Sequence, residues 1–463
     1  MKTIRGCAAV VLAAAAWAAP LDAQAPDTTF LTLDDALRVA AGGNPTYRQA
    51  VNTLGLKGAE TRTVWFDQVL PRAELTLFDT YFWGNLTRRA TDNFGNPIDN
   101  PVSDWTYFSQ TNQALNLTWR VQGASIFNAL SGQRLTNLDR DLGEEQARTA
   151  LGISVRRAYW DVLEQRELLR AEEELVEARR VDQDVAERLF GLAMRTRVDV
   201  LNAELAVEQQ ALALRQQQAE FEKAKLRLLT TLGDEDLAPI RLEDPELPIF
   251  DPGGLDAESL VRMALDVNPE VRRADVAVRT AGTGLKQSRQ AWWPTLVFNY
   301  NLARRAQTPQ GDALFDVSFD EDLDQRFFIG LEVPAFNNFF QNQQSVQQAA
   351  VELDNRLEAE RETTLRIGET VRAALLELEN QWESVRLAER SAEIAAEALR
   401  LAREEYRIGT RTFEDLRQII DEEAGTRRQV IQARHSFVDA LLSLEEAVGA
   451  PVGPTGAGPG GGR

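Results

Sequence analysis

Tyr406-Arg407-Ile408-Gly409-Thr410-Arg411-Thr412-Phe413-Glu414-Asp415-Leu416 repeats, position for position, the pattern of Phe190-Gly191-Leu192-Ala193-Met194-Arg195-Thr196-Arg197-Val198-Asp199-Val200. Phe190, Thr196, Asp199 and Gly233 recur as Tyr406, Thr412, Asp415 and Gly449, all 216 residues later. Asn44-Pro45 recurs as Asn268-Pro269 after 224 residues, and Pro71 as Pro294 after 223. The chain is therefore built from two repeats, Leu33–Gly233 and Leu255–Gly449, and every local feature is read within that frame. The offset falls by one residue between Pro45 and Pro71 and by seven between Pro71 and Phe190, which places most of the length difference in a loop between two strands, where insertions are tolerated.

The segment before each turn is long and helical. No proline interrupts Gly123 to Leu192 or Asn342 to Ile408, so each reads as one helix of about 65–70 residues, roughly 100 Å long at ~1.5 Å per residue. In the second, Val371, Leu375, Leu378, Trp382 and Val385, then Ala392, Ala395, Leu399, Ala402 and Tyr406, step by three and four as a coiled-coil seam does. The helix after each turn (Val198–Leu232, Phe413–Val448) and the one before each first strand (Pro45–Val69, Pro269–Trp292) together match that length. A rod of two helix layers follows, with strands at one end and the two turns at the other. Residues 234–254 read as a linker or belt, and the Gly/Pro tail 450–463 as disordered.

Each repeat also carries one hairpin. Trp105, Tyr107, Leu115, Leu117, Trp119 and Val121 share one parity, while Thr106, Gln110, Asn112, Asn116, Thr118 and Arg120 share the other. Leu296, Phe298, Tyr300 and Leu302 repeat this pattern, as do Phe327, Ile329, Leu331 and Val333; Leu75 and Leu77 carry it into the cluster Tyr81-Phe82-Trp83. A soluble sheet with one wet face alternates in the same way. Long polar tips at 84–104 and 304–322, with aromatics near strand ends, point instead to a membrane barrel. Four strands cannot close one, because the smallest membrane barrels have about eight, so several chains must contribute.

Composition sets the address. Lys2 and Arg5 precede an apolar run from Ala8 to Ala19 and small residues at Ala23 and Ala25, the pattern of a secretory signal over residues 1–25. The single cysteine, Cys7, would leave with that signal. Beyond it, no run approaches the ~18 apolar residues of a membrane helix, so any span must be β. A formal net charge of −20 argues against nucleic acid as a partner. His435 has no histidine or cysteine companion, so no metal centre, cofactor or catalytic histidine pair is expected. Acidic pairs such as Glu144-Glu145 and Glu404-Glu405 lie on helix faces without a nucleophile or base, and no enzyme is expected.

Thr196 with Asp199, and Thr412 with Asp415, fit the Thr-x-x-Asp form of a helix capping box. That reading leaves Tyr406 and Arg411 without a role. From Leu31-Thr32-Leu33 through Asp35-Ala36-Leu37 and Asn44-Pro45 to the Gly-Thr-Arg-Thr turn at 409–412, Leu444 and Gly449, the chain resembles the TolC family of outer-membrane efflux proteins. The resemblance implies a mainly α fold with a small β part. Three chains would form a twelve-stranded barrel continuing into a helical tunnel across the periplasm.

It further implies a duct of a tripartite efflux or type I secretion system, lodged in outer-membrane lipid and joined to a periplasmic adaptor and an inner-membrane pump. Tyr406, Arg411 and Asp199 would hold the tunnel mouth shut, and Asp415 with Glu414 would ring its narrowest part. The adaptor would meet Gly409, Thr410, Thr412, Met194, Arg195 and Thr196. Three positions depart from the family pattern: Val198 replaces a threonine partner, Ala193 a glycine, and Arg120 the proline seen at Pro334. A periplasmic or cell-surface coiled-coil scaffold is the competing reading; the helices alone would suffice for it, but the alternating hairpins tell against it.

Overall fold

The structure, a computed structural model, describes residues 29–88, 90–92, 94–99, 103–234, 240–309, 323–334 and 338–452. The expected signal, the tip residues 310–322 and the tail beyond 452 lie outside the described residues. The first repeat runs α1 (Leu33–Gly43), α2 (Pro45–Leu54), α3 (Leu56–Val69), β2 (Arg72–Arg88), β3 (Ser103–Val121), α4 (Ser125–Gly191) and α5 (Arg197–Leu232), after a short strand β1 (Thr29–Leu31). Strand β4 (Ile240–Leu242) leads to the second: α6 (Ala257–Val267), α7 (Pro269–Gln290), β5 (Thr295–Pro309), β6 (Leu323–Glu332), α8 (Phe339–Arg407) and α9 (Phe413–Val448). The expectation of one helix before each first strand holds for α7. In the first repeat that stretch divides at Gly55, whose N–H turns back to Asn52 and Thr53.

The landmarks that reveal the repeat are the joints of the rod. Asn44 and Asn268 cap the proline-led helices α2 and α7, accepting from the N–H of Tyr47 and Glu270. Their amide groups reach across to helix ends, Asn44 Nδ2 donating to the carbonyl of Thr231 at 2.8 Å and Asn268 Nδ2 to that of Ala447 at 2.9 Å. Gly233 and Gly449 end those helices with φ of 75° and 81°. A Cβ on Gly233 would stand 2.3 Å from the Gly43 carbonyl oxygen, so the two backbones meet in a space that only glycine leaves open.

Helices α4 and α8 contain 67 and 69 residues, each about 100 Å long. Their buried residues form three clusters. One gathers Tyr159, Leu163, Leu228 and Val438 near the belt, a second Val371, Leu378, Phe437 and Leu444, and a third Ala186, Ala203, Ala402, Tyr406, Phe413 and Leu416 at the turn end. The belt is real backbone structure, since β4 pairs in parallel with β1. Tyr159, fully buried, donates its hydroxyl to the carbonyls of Glu243 (2.8 Å) and Leu31 (3.2 Å), and burial pushes its phenol up to about 12.

At the other end the four strands form one antiparallel sheet in the order β2-β3-β5-β6. Register places Leu115, Leu117 and Trp119 opposite Leu302, Tyr300 and Phe298, with Phe327, Ile329 and Leu331 continuing the same face on β6. The reverse face carries Asn116, Thr118, Asn299 and Asn301, and Asn299 Nδ2 donates to Thr118 Oγ1 at 2.9 Å. The strands run longer than alternation alone suggests. Ser109, Thr111 and Gln113 share the parity of Leu115 and are buried, so the apolar face of β3 breaks there. At that level β2 carries a bulge, pairing shifting between Thr76 and Asp79. No helix among the described residues is long and apolar enough to cross a membrane.

Candidate functional site at the rod-end turns

Both long helices stop in the same way. Ala193 and Met194 donate their N–H groups to the carbonyls of Phe190 and Leu189; Gly409 and Thr410 donate to those of Tyr406 and Glu405. The turn residue is left-handed in both, with φ of 56° at Ala193 and 88° at Gly409. Glycine adopts this freely, whereas a Cβ costs about 1 kcal/mol. A Cβ at Gly409 would meet nothing within 4 Å, so backbone conformation, and not crowding, favours glycine there.

Each turn then starts the next helix with a threonine cap. Thr196 Oγ1 accepts from the Asp199 N–H (3.3 Å) and Asp199 Oδ2 accepts from the Thr196 N–H (3.0 Å), a complete capping box. Thr412 Oγ1 accepts from the Asp415 N–H at 3.2 Å and donates to Asp415 Oδ2 at 2.6 Å. Asp199 and Asp415 are thus held at helix starts, where the helix dipole favours a negative charge. Glu414 pairs with Arg417, which holds its carboxyl below the ordinary range.

Arg195 joins the two turns. Its Nη2 donates to the carbonyls of Tyr406 (2.9 Å) and Arg411 (2.7 Å), and its guanidinium lies over the Tyr406 ring, 4.2 Å from the centroid. Tyr406 is 2% exposed, set edge-on to Phe413, with a buried hydroxyl that finds no hydrogen-bond partner among the described residues. Burial pushes its phenol up, Arg195 works against that shift, and the charge of Asp199 adds to it. The Arg411 side chain turns back onto the end of α8, pairing with Glu405 at 2.7 Å.

Of the expected mouth residues, the structure gathers Tyr406 and the Arg411 backbone around Arg195. It sets the Arg411 side chain on Glu405 and Asp199 on Thr196, all within one chain. Sequence reading assigned Arg195 only to the outer tip. Its doubled hydrogen bond depends on two turns meeting in space, for which no local pattern exists. Leu192 and Ile408, 69% and 70% exposed, were also passed over; they occupy matching places in the two turns, and that match was available in the sequence. Among the described residues, no group of three His, Cys, Asp or Glu side chains could hold a metal ion.

Comparison with known proteins agrees with this anatomy. Residues 260–450 match the family model described as outer membrane efflux protein, in keeping with the resemblance to the TolC family. No curated protein matches by sequence. Among solved structures, the fold is similar to that of CusC, in a study of folding and transmembrane channel formation (16% identity, 93% of this chain and 96% of that one, TM-score 0.72). It is also similar to the Campylobacter jejuni CmeC outer membrane channel (15%, 91% and 86%, 0.70). The open Neisseria gonorrhoeae MtrE outer membrane channel is a third (16%, 90% and 89%, 0.67).

Proposed function

With residues 260–450 belonging to the outer membrane efflux protein family, we propose that this chain is the outer-membrane duct of a tripartite efflux or type I secretion system. It conducts substrates passively from an inner-membrane pump, across the periplasm and outer membrane, and performs no chemistry of its own. The observation that carries this reading is one amphipathic sheet with two open edges, β2 and β6, joined to a helical rod about 100 Å long. In lipid an unpaired β edge leaves backbone groups without partners at several kcal/mol each, so β6 of one copy must meet β2 of the next.

The helices carry a matching surface. Val198, Leu201, Leu205 and Leu212 form an exposed three-and-four stripe on α5, and Leu376, Leu387, Ile394 and Leu401 remain exposed on α8. A neighbouring copy would cover both. Three copies give twelve strands and an open lumen, whereas two give eight and a barrel filled by its own side chains. Sixteen strands would also leave a lumen; the resemblance to the TolC family favours three. Asn116, Asn299 and Asn301 then face water, and Leu117, Phe298 and Ile329 face lipid.

In the assembled duct the turns form the periplasmic mouth. Tyr406, Arg411 and Asp199 hold it, Asp415 with Glu414 supplies an acidic constriction, and a periplasmic adaptor meets Gly409, Thr410, Thr412, Met194, Arg195 and Thr196. Membrane fractionation, the mass of the detergent-solubilised complex and planar-bilayer recording test the proposal. An outer-membrane trimer that conducts ions is expected; a wholly soluble chain, or a monomer or dimer as the stable species, overturns it.

A further inference from the structure

The seam between α4 and α9 is a ladder of ion pairs. Descending α4 and climbing toward the start of α9, Arg156 meets Glu445 (2.5 Å), Arg157 meets Glu446 (3.1 Å) and Asp439 (2.9 Å), Glu172 meets Arg428 (2.8 Å), Glu174 meets Arg427 (3.0 Å), and Arg179 meets Asp421. Each of these rungs has an arginine, which stays charged at any working pH. The rung between Arg157 and Glu172 is different. There His435, the single histidine of the chain, places Nε2 3.5 Å from Glu167 Oε2.

His435 is 5% exposed, and both its ring nitrogens are buried without a hydrogen-bond partner among the described residues. Its ring meets the edge of Trp160 on α4. Charged groups face it from three helices. On α4 these are Arg157, Asp161, Glu164 and Glu167; Asp439 and Arg434 flank it on α9, and Glu377 of α8 lines the same cavity beside Gln381. Four of these charges are already paired: Arg434 with Glu389, Asp161 with Arg227, and Asp439 with Arg157. On the opposing helix Glu167 Oε2 stands 3.5 Å from the ring and Glu164 lines the same cavity.

We propose that His435 is a pH-operated latch between the first and second helical hairpins: protonated, it closes the missing rung onto Glu167 and Glu164; neutral, it leaves that rung open. The neutral ring carries one donor with no acceptor in line, a buried group left unsatisfied. The imidazolium carries two donors and a charge that two carboxylates can answer. The sign follows: the added cohesion is present in acid, where His435 is charged, and is lost as pH rises and the ring deprotonates. Since the turn end of α9 carries Phe413 and Asp415, a tighter seam holds the mouth in its present pose. That last consequence rests on the duct reading; the latch does not.

With one imidazole in the chain, its carbon-bound ring signal is assigned without ambiguity in an NMR titration of the full-length protein in detergent. A pH-dependent change of that signal is expected, and it should differ in Glu167→Gln, which removes the charge facing the ring. Hydrogen exchange across 425–440, corrected for intrinsic rates, should accelerate about threefold to tenfold from pH 5.5 to 8 in the wild type. His435→Gln should behave at both pH values as the wild type does at pH 8, and His435→Arg, permanently charged, should remain protected at both. An imidazole that keeps one form throughout, or a pH dependence retained by a folded His435→Gln, overturns the latch. Bilayer conductance is recorded in parallel. A protein that never conducts defeats the duct and leaves the exchange result standing.

Discussion

Arg195 of the first turn covers the ring of Tyr406 in the second at 4.2 Å and donates two hydrogen bonds to the backbone on either side of that turn. A single side chain thus ties together two hairpins whose sequences lie 211 residues apart. Its half-buried charge lies against a ring face and carbonyls, where water competes less than at an open surface. Arg195→Ala should free the second turn and raise single-channel conductance in a planar bilayer. Arg195→Lys should recover little of the wild-type state, because an ammonium cannot stack flat while serving two carbonyls. Equal conductance in all three forms would remove Arg195 from the mouth.

Tyr406→Phe combined with Arg411→Ser should open the mouth further and increase sensitivity to large antibiotics. Tyr406→Phe alone is expected to do little to folding, because the Tyr406 hydroxyl is buried without a partner and its loss leaves no orphaned group. Thermal unfolding of the single variant, read beside conductance of the double, separates the two effects; an unchanged double mutant would sink the assignment.

Asp415 stands at the exposed start of α9, and threefold symmetry would bring its carboxylate around one axis with Glu414 beside it. The pore should prefer cations and be blocked by trivalent ones. Relief of that block is expected in Asp415→Asn, which also keeps an acceptor for the helix cap. If both forms block alike, the constriction lies elsewhere.

The turn glycine and its alanine counterpart make a matched pair. Ala193→Gly should raise stability by up to about 1 kcal/mol, since the left-handed conformation no longer opposes a Cβ, less the added freedom of the unfolded chain. Gly409→Trp has open space around it and a left-handed backbone that costs a side chain about 1 kcal/mol, so it should fold and insert with a small loss of stability while losing cross-linking to the adaptor. Retained cross-linking would indicate a different docking surface.

Gly233 predicts the opposite kind of failure. A methyl there meets Gly43 at 2.3 Å on a backbone with φ of 75°, so Gly233→Ala should destabilise the rod by about 2 kcal/mol or more. Gly254→Ala, which meets nothing within 4 Å, is the control. Denaturation of both reads the difference, and equal losses would contradict the close approach.

Much of the architecture was legible because it is periodic or repeated. Uninterrupted stretches before Leu192 and Ile408 announced two helices that need about 65 residues each, and period-two alternation announced the strands from Leu115 to Val121. Asn44, Asn268, Gly233 and Gly449 stood out as repeat markers before their contacts were known. The break at Ser109, Thr111 and Gln113 was less legible, because parity locates a face but does not say where the environment along it changes. The split at Gly55 was missed for a related reason: a helix pattern continues through a single glycine, and only the backbone records the turn.

By itself, the sequence determined the two-repeat plan, the order of helices and strands, the capped turns and the net negative charge, because these depend on composition, local propensity and spacing. The tertiary structure alone decided that Arg195 clasps Tyr406, that Arg411 turns back to Glu405, and that His435 fills one rung of an otherwise arginine ladder. The first and last of those contacts join residues more than 200 positions apart, the second only six, and the energies of all three depend on burial and direction, which arise only when the hairpins pack side by side.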